Sequence, residues 1–252
     1  MTPFIDHVAL TVRDLPGMTA FYRDAIGLTL LARDGETARL GAGGRALLEL
    51  RRDPAARSRD PRQAGLFHTA FLLPDRPALA RWLRHAADSG TRLTGASDHG
   101  ISEALYLDDP EGNGIEIYWD RPASGWTRNG DRIQMVSHRL DLNDLLSAAD
   151  APWTGAPEGS TVGHVHLQVG DLAQAHDFLA GDLGLTRTFD APGGAWYGWN
   201  GYHHHFAGNV WNSRGAGRRE PGTTGLADIA IADPGRSGTS LTDPWGTSFR
   251  FV

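Results

Sequence analysis

The 252-residue sequence predicts an α+β fold made of tandem βαβββ modules. Three observations predict it: a gapless internal repeat, strand-like runs that bracket short amphipathic helices, and glycine or aspartate at the element ends. Residues 5–28, IDHVALTVRDLPGMTAFYRDAIGL, align without gaps on residues 162–185, VGHVHLQVGDLAQAHDFLAGDLGL. His7 falls on His164, Val8 on Val165, Leu10 on Leu167, Val12 on Val169, Asp14 on Asp171, Phe21 on Phe178 and Gly27 on Gly184. A repeat at this spacing organises the whole chain.

Each copy opens with an alternating or continuous apolar run, HVALTV or HVHLQV, that reads as a strand. Asp14 and Asp171 stand where a helix N-cap is wanted. A short helix follows in each copy and ends at Gly27 or Gly184. Further strands are predicted at TARLGAGG and ALLELRR in the first copy, and at AWYGWNG and HHHFAGNVW in the second. A second module opens at GLFHTAFLLPD (65–75), with a helix over Arg76–Ser89 whose Leu79, Trp82, Leu83 and Ala86 share one face. Its later strands are ALYLDD and GIEIYWD. Residues 1–120 thus read as a first domain. Residues 121–160, rich in Pro, Gly and polar side chains, form a linker, and 161–252 form a second domain. The last module, GLADIAIADPGRSGTSLTDPWGTSFRFV, has no room for a helix, so the second domain is truncated.

Composition narrows the chemistry. There is no cysteine, which excludes disulfides, thiolate nucleophiles and cysteine-held metals. All 24 basic residues are Arg, which excludes a Schiff-base lysine. A net charge of −6 argues against a nucleic-acid surface. No apolar run approaches the ~18–20 residues of a membrane span. The N-terminal MTPFIDHVALTVRD has no leader pattern, so a cytoplasmic location is expected.

The segment DPEGNG (109–114) has the residues of a turn between two strands. In the strand that follows, Ile115 and Ile117 face one side, Glu116 and Tyr118 the other. A carboxylate facing inward is costly unless it is paired or binds a metal. The same alternation turns His68 inward from GLFHTAF and His7 inward from DHVALTV. His7, His68 and Glu116 then form a facial triad suited to Fe(II), with Mn(II), Zn(II) and Ni(II) as alternatives.

His99, Leu105-Tyr106, Asp109-Pro110, Gly112 and Glu116 resemble the signature of ring-cleaving extradiol dioxygenases, departing from it at Ser97. With GHVHLQV, SEALYLDDPEGNGIEIYWDRP and GYHHHFAGNVWNSRG, the chain resembles the two-domain, catechol 2,3-dioxygenase-like branch of the vicinal-oxygen-chelate (glyoxalase/bleomycin resistance/dioxygenase) superfamily. The resemblance implies iron(II), a small aromatic diol and O2 as reactants, and ring opening beside the diol. It puts His99 and Tyr106 in catalytic places, with His99 handling protons. Tyr118, Glu49, His203 and His205 are further candidates for the pocket. Such domains often pair through exposed strands, so a homodimer is one assembly in view.

Two departures stand out. Many extradiol enzymes carry an acid–base His on the last strand of the unit that bears the first ligand; here that strand is ALLELRR, where only Glu49 offers a partial substitute. In the second copy, Asp228 replaces His68 and Arg250 replaces Glu116, so that site is predicted to hold no metal. His203-His204-His205 is read as structural or substrate-shaping rather than metal-binding, with alternation turning His203 and His205 toward His164 or His166. The Trp residues around it read as core or dimer contacts. The alternative functions are a non-redox metal enzyme of the same superfamily, such as an isomerase or ring-opening enzyme, and a protein that sequesters an aromatic antibiotic.

Overall fold

The computed structural model describes residues 2–252. The first module comprises β1 (Phe4–Val12), α1 (Leu15–Asp24), β2 (Thr29–Arg33), β3 (Thr37–Ala42) and β4 (Arg45–Arg52). The second comprises β5 (Gly65–Leu72), α2 (Arg76–Asp88), β6 (Gly95–Asp98), β7 (Ser102–Asp108) and β8 (Gly114–Asp120). The segment between the two copies holds a ribbon of β9 (Arg128–Asn129) and β10 (Arg132–Ile133), then β11 (His138–Arg139) and α3 (Leu142–Ser147). The third module is β12 (Thr161–Gln168), α4 (Leu172–His176) running into a π-helical turn to Asp182, β13 (Thr186–Ala191), β14 (Gly194–Gly198) and β15 (Phe206–Asn209). The fourth has only β16 (Gly225–Ala232), β17 (Ser240–Thr242) and β18 (Ser248–Phe251), without a helix, as predicted.

The helix ends follow local chemistry. Asp14 accepts from Gly17 N at 3.0 Å and Asp75 from Ala78 N at 2.7 Å. Asp171 accepts from Ala173 N and Gln174 N, both at 2.9 Å. Each cap satisfies backbone donors that a helix start leaves free. Gly27 and Gly184 close their helices at φ 86° and 70°, in the left-handed region that a side chain disfavours. Leu79, Trp82, Leu83 and Ala86 of α2 are all buried. Among the described residues no helix is long and apolar enough to cross a membrane.

The modules do not pair in chain order. One sheet runs β17-β18-β16-β1-β4-β3-β2 and joins the first module to the fourth. The other runs β11-β6-β7-β8-β5-β12-β15-β14-β13 and joins the second to the third. The sequence boundary at 121–160 is therefore not a boundary between sheets: it falls inside the second sheet, between β8 and β12. Both central junctions are antiparallel and share one register. His164 lies opposite Ala70, and Ala70 opposite Glu116. Likewise, His7 lies opposite Ala230, and Ala230 opposite Arg250. Even the register shifts recur, before His164 and His7 and two residues later.

Candidate active site

Three inward side chains meet on the second sheet. His68 projects from β5, Glu116 from β8 and His164 from β12, all buried. His68 Nε2 lies 3.0 Å from Glu116 Oε2, His164 Nε2 lies 3.2 Å from the same oxygen, and the two Nε2 atoms are 3.3 Å apart. On one face of an octahedron, donors at these separations would each lie about 2.1–2.3 Å from the centre, close to ordinary lengths for metal–nitrogen and metal–oxygen bonds. The donor chemistry agrees. Burial alone would raise the pKa of Glu116, but His164 and His68 outweigh it and hold the carboxyl well below its ordinary value. Burial pushes His164 below its ordinary value despite the pull of Glu116. An ionised carboxylate beside a neutral imidazole is the protonation state that a divalent cation needs.

His164 therefore stands where His7 was expected. His7 lies on β1, whose neighbours are β16 and β4, so it belongs to the other sheet. There its Nδ1 donates to Asp6 at 2.8 Å, and Arg250 Nη2 approaches its Nε2 at 3.4 Å. Asp228 accepts from Arg250 Nε at 2.7 Å and also pairs with Arg51. At the register positions of a metal site, this half of the protein carries an ion-pair network. Glu49 is part of that network: it pairs with Arg39 and Arg51, each at 2.7 Å, and does not line the cavity described below.

The donor set opens onto a cavity of about 560 Å³. His99 and Tyr106 line one side. His99 Nδ1 donates to Val136 O at 2.9 Å, which leaves Nε2 to accept from the Tyr106 hydroxyl at 2.8 Å. Tyr106 lies across the strand pair from Glu116, and burial, then Glu116, pushes its hydroxyl well above its ordinary value. It stays a donor at neutral pH. The carbonyl that fixes His99 comes from the segment expected to be only a linker; Met135, Val136 and Ser137 of that segment line the cavity.

Of the triple-histidine run, His204 reaches the cavity and not His203 or His205. The run precedes β15 instead of lying on it, so strand alternation does not apply to it. The His204 ring centroid is 4.1 Å from that of His164. Behind it, His203 Nε2 donates to Asp120 Oδ1 at 2.8 Å, so His203 Nδ1 accepts from His204 Nδ1 at 2.6 Å. That order leaves the lone pair of His204 Nε2 on the cavity side, and burial keeps the ring neutral by pushing its pKa well below the ordinary value. His205 turns away and accepts from Trp199 N through Nδ1 at 3.2 Å. Tyr118 is fully buried behind the donors, its hydroxyl 2.9 Å from that of Tyr202. A Cβ at position 163 would come within 1.8 Å of the Tyr118 hydroxyl, so Gly163, next to His164, is the residue that lets this tyrosine pack there.

The signal for His164 was present in the repeat, which aligns it on His7. The signal for His204 was masked by the assignment of the first ligand. Counted from His164 instead of His7, the last strand of the unit is β15, and His204 stands two residues before it, facing the cavity.

Comparison with known proteins places this arrangement in a family. Residues 4–117 match the glyoxalase/bleomycin resistance protein/dioxygenase superfamily. The chain is 38% identical over 236 residues to catechol-2,3-dioxygenase of Bacillus subtilis (strain 168), covering 91% of this chain and 82% of that one. It is 31% identical over 174 residues to biphenyl-2,3-diol 1,2-dioxygenase 3 of Rhodococcus globerulus, covering 63% of this chain and 86% of that one. The fold is shared with glyoxalase I of Zea mays, with a TM-score of 0.59, 19% identity and coverage of 99% and 92%. The chain belongs to the glyoxalase/bleomycin resistance protein/dioxygenase superfamily, in its catechol 2,3-dioxygenase-like branch.

Proposed function

We propose that the protein is an iron(II)-dependent extradiol dioxygenase that opens a catechol ring with O2 at the cavity between the second and third modules. The observation that carries this reading is the set His68, Glu116 and His164: two imidazoles and one carboxylate on one face, with the opposite face open to an apolar cavity. Similarity to two ring-cleaving enzymes supports the same reaction class. In the reaction the carbon–carbon bond beside the diol breaks and both oxygen atoms of O2 enter the product.

His68, Glu116 and His164 would hold the iron. Iron(II), when bound, supplies a Lewis-acidic and redox-active centre that brings diol and O2 together. The remaining work falls to side chains around it. His204 Nε2, unprotonated and facing the cavity, accepts a proton from a diol hydroxyl. The Asp120–His203 pair holds His204 in that tautomer, as an acid orients the imidazole of a catalytic triad. On the opposite side, Tyr106 keeps its proton and donates a hydrogen bond, and His99 positions it.

The test is anaerobic purification and metal analysis, followed by oxygen uptake and near-visible absorbance with iron(II) and a catechol panel. About one iron per chain, oxygen uptake and a yellow product, all lost in His164→Ala, are expected. Zinc or manganese binding with no oxygen uptake on any diol would instead favour a non-redox member of the superfamily.

A further inference from the structure

We infer that residues 126–139 form a strap whose closure over a bound diol sets the two proton-handling sides of the site together, with Trp126 and Val136 as positioning residues. This rests on the reading of the site as a diol-cleaving centre and adds how that centre is assembled.

The second sheet ends at β6 and β11 on one side and at β13 on the other. The chain between β8 and β12 bridges those ends. His138 and Arg139 pair with Asp98 and Ser97 of β6, and Arg132 forms an ion pair with Asp190 of β13. Between these attachments, Met135, Val136 and Ser137 line the cavity, whose other walls are mostly strands.

The ends of the bridge are held more firmly than its middle. Before it, Arg121 pairs with Asp98 and Glu103; after it, Leu140 and Leu145 belong to the main core. Within 126–139 only Trp126 and Ile133 are buried, and they pack with Ile101, Met135 and Tyr202 in a small cluster apart from that core. The other holds lie at the surface. The Arg132–Asp190 pair is 45% and 33% exposed, and Arg128 Nη2 donates to Gly201 O at 2.7 Å. A segment with so few buried contacts opens more easily than the strands beside it.

The same segment touches both sides of the site. Val136 exchanges two hydrogen bonds with His99: its N donates to His99 O at 3.1 Å, and its O accepts from His99 Nδ1 at 2.9 Å. The second bond is what leaves His99 Nε2 free for the Tyr106 hydroxyl. Trp126 covers the other side. Its ring centroid lies 5.1 Å from that of His203 and 5.9 Å from that of Tyr202, the two residues that share Asp120. Gln134 N donates to Thr127 O at 2.9 Å, which ties the two contacts into one ribbon. Lifting the strap would release His99 and uncover His203 in one movement. A diol pressed against Met135 and Val136 favours the state in which both are set.

The experiment measures amide hydrogen exchange of 126–139 in the iron-loaded protein under argon, with and without catechol, alongside iron content and steady-state oxygen uptake. Catechol is expected to slow exchange across the segment at least tenfold. Arg128→Ala with Arg132→Ala removes two surface holds, each worth up to about a fivefold shift between open and closed. The pair is expected to speed exchange without diol and to raise KM about tenfold, with iron content unchanged and kcat within twofold, because saturating diol recloses the strap. Trp126→Ala is expected to lower kcat about tenfold with iron retained, and Trp126→Phe to restore most of it. Exchange unmoved by catechol overturns the inference, as does a KM unmoved by the paired Arg replacements, or a kcat that Trp126→Ala leaves unchanged or lowers only through loss of iron. If no diol is turned over, yet catechol slows exchange and the paired Arg replacements undo it, the catalytic reading fails and the strap stands. Full turnover with exchange that catechol does not move leaves the catalytic reading and removes the strap.

Discussion

Replacing His164 tests the way the modules pair. If β12 supplies the third donor, His164→Asn leaves only His68 and Glu116 to hold the ion. A structural zinc site gains about 10–16 kcal/mol from four ligands, or roughly 3–4 kcal/mol for each. At 1.4 kcal/mol per decade, the loss of one imidazole should weaken metal binding about a hundred- to thousandfold. Asn is preferred to Ala because His164 is buried with its ring against His204, and full truncation would add a cavity penalty of about 2–4 kcal/mol. The paired variant is His7→Ala. His7 contacts Asp6 and Arg250 in the other sheet, so its loss should change metal affinity less than twofold. The assay is anaerobic equilibrium dialysis against iron(II), with thermal melts to confirm folding. Folded His164→Asn that keeps its iron, together with iron loss in His7→Ala, would refute both the donor set and the module pairing from which it follows.

Three further outcomes follow from the same geometry. His205 has its pKa pushed down to about 3 by burial, so only the unfolded chain takes up its proton below pH 6.5. The stability it contributes is whole above that pH and falls by about 2 kcal/mol at pH 5, at 1.36 kcal/mol per unit; His205→Gln should flatten urea-unfolding stability between pH 7 and pH 5 by that amount, and an unchanged slope would remove the argument. Asp120→Asn weakens the hold on the His203–His204 tautomer and should lower kcat/KM for a diol about a hundredfold while diol binding changes little; a loss confined to KM would assign Asp120 to packing. In the other sheet, Asp228→His with Arg250→Glu rebuilds two imidazoles and a carboxylate at matching register positions, and metal analysis should rise from one ion per chain to two. A ratio that stays at one would mean that matching register does not reproduce side-chain geometry.

The modules themselves were legible because their signals are local. Alternation gave the strands, Asp14 and Asp171 the helix starts, and Gly27 and Gly184 the helix ends. His68 and Glu116 followed from strand phase within one module. The third donor did not, because the choice between His7 and His164 depends on which strand lies beside β5, and β1 and β12 carry nearly the same pattern. Asp228 and Arg250 set the fourth module apart from the second in the sequence, but only the sheet order shows that the strand of His7 pairs with it. The histidine run was misread for a different reason. Period-two alternation holds on a strand, and residues 203–205 precede one. The Met135–Ser137 contribution was hidden by composition, since a polar, proline-rich stretch reads as a tether even where it folds back over a cavity.

The nesting of one sheet's strands between the two halves of the other also affects how the protein is made. The segment carrying the donors and the cavity is continuous, from β5 to Trp211, and can close while the rest of the chain is still being synthesised. The first strand cannot, because β16, to which it bonds, is encoded more than two hundred residues later. Contacts of such long sequence separation form slowly. Until the last strands emerge, β1 offers an open edge and an apolar face, which are the features that invite mispairing with a neighbouring chain. The ion pair between Arg51 and Asp228, and the approach of Arg250 to His7, form only after the first and last modules have met. A cross-link built from side chains alone lets the two chain ends join whether or not the donor set of the other sheet is filled.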